Sequence, residues 1–116
     1  MFEIKSYRRE GGESPVEVFI DSLPTKKAQK VLWVLMLIDE LDRVPESYFK
    51  KLKSANGIWE VRATQGNDTY RLLGFVDGGR FIVLTNGFAK KTQKTPKNEI
   101  ELASERRKDY LRRKET

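Results

Sequence analysis

The fold of this chain is decided by residues 58–88, which read IWEVRATQGNDTYRLLGFVDGGRFIVLTNGF. Three runs in this stretch are rich in β-branched and aromatic residues, the types that favour strands: residues 58–64, 69–76 and 80–88. They are separated by Gly66-Asn67-Asp68 and by Asp77-Gly78-Gly79, which are typical connections of β-hairpins. The stretch therefore predicts an antiparallel three-stranded meander.

A strand and two helices are predicted before the meander. Residues 2–7 alternate apolar and polar side chains, as a half-buried strand does. Ser14 and Pro15 have the form of a helix N-cap and first helical position, so a short helix is expected from Pro15 to Ser22. A second helix is expected from Thr25 to Leu41, where apolar residues recur at spacings of three and four. Its apolar stripe is wide enough to predict burial on more than one side.

Two further helical segments complete the predicted fold. A short helical turn is expected around Ser47 to Leu52, and Thr95 with Pro96 opens a polar C-terminal helix that runs to about Arg113. With 116 residues the chain has room for one core. The whole of residues 1–116 is therefore interpreted as a single α+β domain, with helices packed on one face of a small curved antiparallel sheet.

Composition narrows the function classes. The chain has no cysteine, so a disulfide framework and a thiolate nucleophile are excluded, and a reducing cytoplasm is the expected location. The most apolar stretch, Val31 to Ile38, is too short to cross a bilayer, so no membrane association is expected. The net charge is +6, and residues 90–115 hold ten Lys/Arg against five Asp/Glu. This charge favours a nucleic-acid partner, although a well-solvated helix would also explain it.

Strand alternation places three charged residues on one sheet face. Trp59 and Val61 should point toward the helices, so Glu60 and Arg62 should point the other way. Arg71 of the next strand shares their face if the hairpin register allows. Two interpretations are open: a convergent charged site, or a solvated sheet face with a cross-strand ion pair that contributes roughly 0.2–1 kcal/mol.

A lysine cluster follows the last predicted strand and favours the first interpretation. Lys90, Lys91 and Lys94 lie where the chain leaves the sheet, and fixed cations there would stabilise the negative charge that a phosphodiester gains in its transition state. The chain has no histidine, so proton transfers would fall to Glu60, a lysine, a tyrosine or the RNA itself. The meander holds too few carboxylates for a two-metal site, so no metal or other cofactor is expected.

Three motifs follow one another along the second half of the chain: GIWEVR at 57–62 with YRL at 70–72, FAKKTQKTP at 88–96, and EIELA at 99–103. In this order and spacing they resemble the phage-derived HigB-like toxins, a branch of the RelE/ParE superfamily of type II toxin-antitoxin systems. The resemblance covers residues 57 to about 111 closely and the helix pair loosely.

The resemblance implies a RelE-like fold, an N-terminal helix pair on the sheet with a C-terminal helix, and a metal-independent endoribonuclease that cleaves mRNA, typically in the ribosomal A site, through attack by the ribose 2′-hydroxyl. On this basis Arg62 and Arg71 would grip the scissile phosphate. Lys90 and Lys91 would stabilise the developing charge, and Glu60 would be the general base. Further RNA contacts are expected from Thr92, Lys94 and Lys97.

The implied partners are mRNA, the ribosome and an antitoxin protein, expected to carry a helix-turn-helix DNA-binding domain. The chain departs from several members of the superfamily, which place a histidine or a C-terminal tyrosine in the active site. Its only late tyrosine, Tyr110, falls inside the last predicted helix, where packing is the commoner role. The general acid is therefore left open by the sequence.

Two alternative functions stay open at this level. The ParE branch of the superfamily shares the fold and poisons DNA gyrase without cutting RNA, and fold alone does not settle function. The second alternative is a basic nucleic-acid-binding module that uses its C-terminal helix for phosphate contacts. The lysine cluster together with Arg62 and Arg71 favours the ribonuclease.

Overall fold

The computed structural model describes residues 2–53, 55–91 and 93–114. The elements in chain order are β1 (Glu3–Ser6), α1 (Pro15–Asp21), α2 (Thr25–Glu40), β2 (Phe49–Lys51), β3 (Trp59–Gln65), β4 (Asp68–Asp77), β5 (Phe81–Ala89) and α3 (Lys97–Lys114). The α+β class is confirmed, and the predicted helices and meander strands agree with the observed ones to within two residues at each end.

The strands form one sheet in the order β1-β5-β4-β3-β2. The predicted meander is confirmed, since β3, β4 and β5 pair antiparallel in sequence order. β1 pairs parallel with β5, with Glu3 opposite Phe81. The sheet is therefore mixed, and its two edge strands are β1 and β2.

The helical turn expected around Ser47 to Leu52 is wrong for residues 49–51, which form β2, paired antiparallel with β3. A turn lies just before β2, where the amides of Tyr48 and Phe49 donate to the carbonyl of Pro45. The backbone amide of Arg62 donates to the carbonyl of Tyr48 at 2.8 Å. The ring of Phe49 stacks on that of Trp59, with centroids 4.7 Å apart. Pairing with the open edge of β3 and burial of Phe49 outweigh the weak local preference for a helical turn.

The helices α1 and α2 cover one face of the sheet. α1 begins at the expected cap, where Ser14 accepts a hydrogen bond from the amide of Glu17 at 3.2 Å. This face buries a core drawn from both helices and from β2 to β5: Val16, Ile20, Val31, Val34, Ile38, Phe49, Val61, Ala63, Tyr70, Leu72, Ile82 and Leu84. Trp59 and Val61 face the helices as predicted.

The expectation that α2 is buried on more than one side is wrong. Val31, Val34 and Ile38 are fully buried, whereas three apolar residues between and beside them are at least 40% exposed: Leu32, Trp33 and Met36. The helix packs on the sheet along one stripe of its surface. Its outer stripe is left open.

The opposite face of the sheet is covered by α3, so the expectation that all helices lie on one face is wrong. Neighbouring residues of β4 show this, because Leu72 belongs to the core beneath α1 and α2 while Leu73 packs with Ala103 of α3. Farther along α3, Tyr110 packs on Phe75. The continuous apolar run of β4 reflects burial on both faces.

A β-bulge in the β4–β5 ladder anchors the start of α3. The register shifts between Leu73 and Gly74, which leaves Thr85 outside the paired ladder and turns Asn86 toward α3. The Asn86 amide donates to the backbone carbonyl of Glu99 at 3.2 Å and to its carboxylate at 3.0 Å. The first turn of α3 is thereby tied to β5.

Candidate functional site

Glu60, Arg62 and Arg71 converge on the α3 side of the sheet. Register places Arg62 opposite Arg71 and Glu60 opposite Leu73. The Nε of Arg62 donates to Glu60 Oε1 at 2.6 Å, and Arg71 Nη1 donates to Glu60 Oε2 at 3.4 Å. Glu60 is 0% exposed and Arg71 is 1% exposed. A solvated sheet face is therefore the wrong interpretation, and these residues form a buried charge cluster.

The segment between β5 and α3 closes this cluster from above. The hydroxyl of Thr95 donates to Glu60 Oε2 and accepts from Arg71 Nη1, the latter at 3.1 Å. The backbone carbonyl of Gln93 accepts from Arg71 Nη2 at 3.2 Å. Burial lowers the pKa of the Arg71 guanidinium, and the charge of Glu60 opposes that shift. The one buried nitrogen of the cluster without a hydrogen-bond partner in the described part of the chain is Arg71 Nε.

A basic cleft of about 510 Å³ lies beside the cluster, between β2, the edge of β3 and the closing segment. It is lined by Glu46, Lys50, Lys51, Leu52, Lys53, Arg62, Gln93, Lys94 and Thr95. Five of these side chains are cationic and one is anionic. Arg62, whose side chain is 29% exposed, is the member of the charge cluster that reaches the cleft. The arrangement suits the binding of a phosphate group.

The other predicted site residues are only partly brought to the cleft. Lys94 lines it, whereas Lys90 and Lys91 do not. The Nζ of Lys90 lies 3.4 Å from Oε1 of Gln93, and its backbone amide donates to Thr69 of β4. Lys97 is exposed in the first turn of α3. Thr92 lies outside the described residues.

Sequence reasoning missed three of the four lysines that line the cleft, namely Lys50, Lys51 and Lys53. They stand in the run Lys50-Lys51-Leu52-Lys53 immediately before the meander. The sequence feature that could have identified them is this second lysine cluster, next to a strand of the sheet. The expected helical turn concealed it, since a turn there gives no reason to place these lysines beside Arg62.

Tyr110 is a packing residue, as its position in the sequence indicated. Its ring lies edge-on to Phe75, with centroids 5.5 Å apart, and its hydroxyl donates to Asp77 at 3.4 Å. Burial raises the pKa of this hydroxyl, and the negative charge of Asp77 adds to the effect. Tyr110 is not among the residues that line the cleft.

Within residues 2–53, 55–91 and 93–114, no group of three or more histidine, cysteine, aspartate or glutamate side chains is placed to hold a metal ion. In the same residues, no helix combines the length and the apolarity needed to cross a membrane.

A family model described as "Phage derived protein Gp49-like (DUF891)" matches residues 18–108. The match includes both α2 and the meander, every residue that lines the basic cleft, and the first part of α3. No curated protein matches the chain.

Proposed function

The chain belongs to the Gp49-like family of phage-derived proteins, part of the RelE/toxin-like group, and on that premise we propose that it is the toxin of a type II toxin-antitoxin system and a metal-independent endoribonuclease of the HigB-like branch. Its substrate is mRNA, cut on the ribosome in the cytoplasm, and translation stops as a result. An antitoxin with a helix-turn-helix domain keeps it silent, with acidic groups over the basic cleft.

The observation that carries this proposal is the placement of Arg62. Its guanidinium donates a hydrogen bond to the buried carboxylate of Glu60 at 2.6 Å. The same side chain also lines a cleft that contains four lysines. An arginine fixed in this way does not have to reorganise when charge develops on a phosphate, which is the condition for effective transition-state stabilisation.

In the proposed reaction the ribose 2′-hydroxyl attacks the adjacent phosphorus and the bond to the 5′-oxygen of the next nucleotide breaks. Arg62 and Lys94 stabilise the charge on the phosphoryl oxygens. In a chain with no histidine, Lys94 donates the proton that the departing 5′-oxygen takes up, and the proton of the attacking 2′-hydroxyl passes to solvent water. Orientation of the RNA provides much of the rate.

The geometry favours roles for Glu60 and Arg71 that differ from those the family resemblance implies. Glu60 accepts hydrogen bonds from Arg62, Arg71 and Thr95 and has no exposed surface. A carboxylate in this state orients its partners rather than removing a proton from a ligand in the cleft. Arg71 lies beneath Gln93 and Thr95, so we assign it to positioning of Glu60 and of the closing segment.

The test is cleavage of a defined mRNA on programmed ribosomes by the wild-type protein and by Arg62→Gln. Loss of one preorganised donor lowers the rate by about 10²–10³-fold. Arg80→Gln is the matched control, because Arg80 also pairs with a carboxylate, at 3.0 Å, but that carboxylate belongs to Glu3 of β1, the edge strand opposite β2.

Product ends provide the second readout. Attack by the 2′-hydroxyl leaves a 2′,3′-cyclic phosphate and a 5′-hydroxyl, and magnesium chelation after complex assembly should not stop it. Normal cleavage by folded Arg62→Gln, or a 5′-phosphate product, would overturn the mechanism. Growth arrest on expression without any new mRNA ends would instead favour a gyrase poison.

A further inference from the structure

The edge strand β2 and the turn that follows it carry a lysine cluster that the cleavage mechanism above does not need. Lys50, Lys51 and Lys53 all line the basic cleft together with Arg62. In the β2–β3 register Lys50 stands opposite Glu60, so it lies on the face of the sheet that holds the charge cluster. None of the three lysines belongs to a salt bridge among the described residues.

Protection of an exposed sheet edge is the simplest alternative explanation, because lysines on edge strands prevent pairing with a second chain. The other edge strand, β1, shows that one lysine is enough for such protection. β1 carries a single lysine, Lys5, whose ammonium lies 3.9 Å from the centroid of the Phe81 ring. Protection does not account for three lysines that share one cleft with Arg62 and Lys94.

We propose that Lys50, Lys51 and Lys53 bind the backbone phosphates that flank the cleaved linkage, so that a single RNA strand runs along the edge of the sheet at β2. The choice of RNA as ligand rests on the proposed function. Lysine binds phosphate as a mobile point charge, without the fixed fork of arginine. A row of lysines therefore holds a strand without reading its bases, as in other proteins that track single strands through a basic groove.

This role predicts a specific dependence of affinity on salt. Each phosphate neutralised on a single strand contributes about 0.7 to the slope of log affinity against log salt concentration. Removal of three such contacts should lower the slope by about 2. Edge protection predicts no change in the slope, and a purely structural role predicts a loss of folding instead.

The experiment measures binding of an oligoribonucleotide with 2′-O-methyl groups, which blocks attack by the 2′-oxygen and so separates binding from cleavage. The triple variant K50Q/K51Q/K53Q is compared with the wild type and with K5Q, the matched lysine on the opposite edge strand. Lys50→Gln alone, with an expected slope change of about 0.7, keeps the test decisive if the triple variant unfolds.

The expected result is a slope lowered by about 2 in the triple variant and unchanged in K5Q. An unchanged slope in folded K50Q/K51Q/K53Q, or an equal change in K5Q, overturns the inference while wild-type cleavage leaves the proposed function standing. Wild-type binding that depends on the three lysines, in a protein that cuts no RNA, overturns the proposed enzyme and supports the binding surface. Absence of wild-type binding overturns the inference.

Discussion

The carboxylate of Glu60 lies 3.4 Å from a guanidinium nitrogen of Arg71, and solvent reaches almost none of either side chain. Two buried opposite charges attract each other strongly, but both have lost their hydration. The pair is therefore tolerable only while both members and their additional partners, Arg62 and Thr95, are present. The stability of the protein depends on this cluster as a unit.

Arg71→Ala should destabilise the fold by about 3–5 kcal/mol, because it leaves a buried carboxylate with fewer partners. In a separate cycle of wild type, Glu60→Gln, Arg71→Met and the double variant, the double variant should cost clearly less than the sum of Glu60→Gln and Arg71→Met made singly. Urea unfolding of the four proteins measures this coupling. Additive costs would contradict the description of the pair as one buried unit. Alanine at position 71 is for the same reason a poor probe of catalysis.

Thr95→Val should destabilise the fold by about 1–3 kcal/mol. The Thr95 hydroxyl donates a hydrogen bond to Glu60 and accepts one from Arg71, and the valine side chain can do neither. Thr95→Ser is the matched control, since it keeps the hydroxyl and loses a methyl group. The measurement is thermal or urea unfolding of both variants. Equal stability of the valine and serine variants would show that the hydroxyl does not close the cluster.

Ile38→Ala should cost about 2–5 kcal/mol, since Ile38 is fully buried between α2 and the sheet. Met36→Ala, two residues earlier on the same helix, should change the free energy of unfolding by no more than about 0.5 kcal/mol. The pair tests whether α2 has one buried stripe. A large cost at Met36 in the isolated protein would show that its outer stripe is covered.

Asp109 should make stability depend on pH in acid solution. Hydrogen bonds from Tyr7, which has the larger effect, and from Arg112 lower the pKa of Asp109 to about 2 from its ordinary 3.8. A carboxylate with a depressed folded-state pKa stabilises the fold above its unfolded pKa, and the contribution is lost as pH falls through the folded value. The stability advantage of wild type over Asp109→Asn should therefore shrink between about pH 4 and pH 2. Urea midpoints across that range measure it, and a constant difference would contradict the assignment.

The sequence predicted the elements with strong local signals. Hairpin glycines and β-branched runs define β3, β4 and β5, and the cap at Ser14 defines the start of α1. Alternation placed Glu60 and Arg62 on one face of the sheet, and the observed hairpin register, with Arg62 opposite Arg71, brings Arg71 to the same face. These features depend on residues close to one another in the chain, which is why a single sequence contains them.

The remaining features depend on long-range contacts. β2 is a strand because β3 offers it an open edge, and no local pattern in three residues records this. α3 covers the second face of the sheet because Ala103 packs with Leu73. These two residues are thirty positions apart in the sequence. The burial of Arg71 depends on Gln93 and Thr95, which alternation within β4 does not reveal. Lys50, Lys51 and Lys53 were missed because no local pattern indicates that β2 is a strand.

The pairing of β1 with β5 has a consequence for the order of synthesis. Residues 3–6 are synthesised well before their partners, residues 81–84, and Tyr7 is synthesised well before Asp109, to which its hydroxyl donates a hydrogen bond. The charge cluster gains its cover only when Thr95 has also emerged. Contacts this distant along the chain form late and slowly. During synthesis β1 thus stays unpaired until β5 has emerged, and the Arg71 guanidinium stays uncovered until Thr95 has emerged, so the complete cleft forms only after the segment between β5 and α3 has been made.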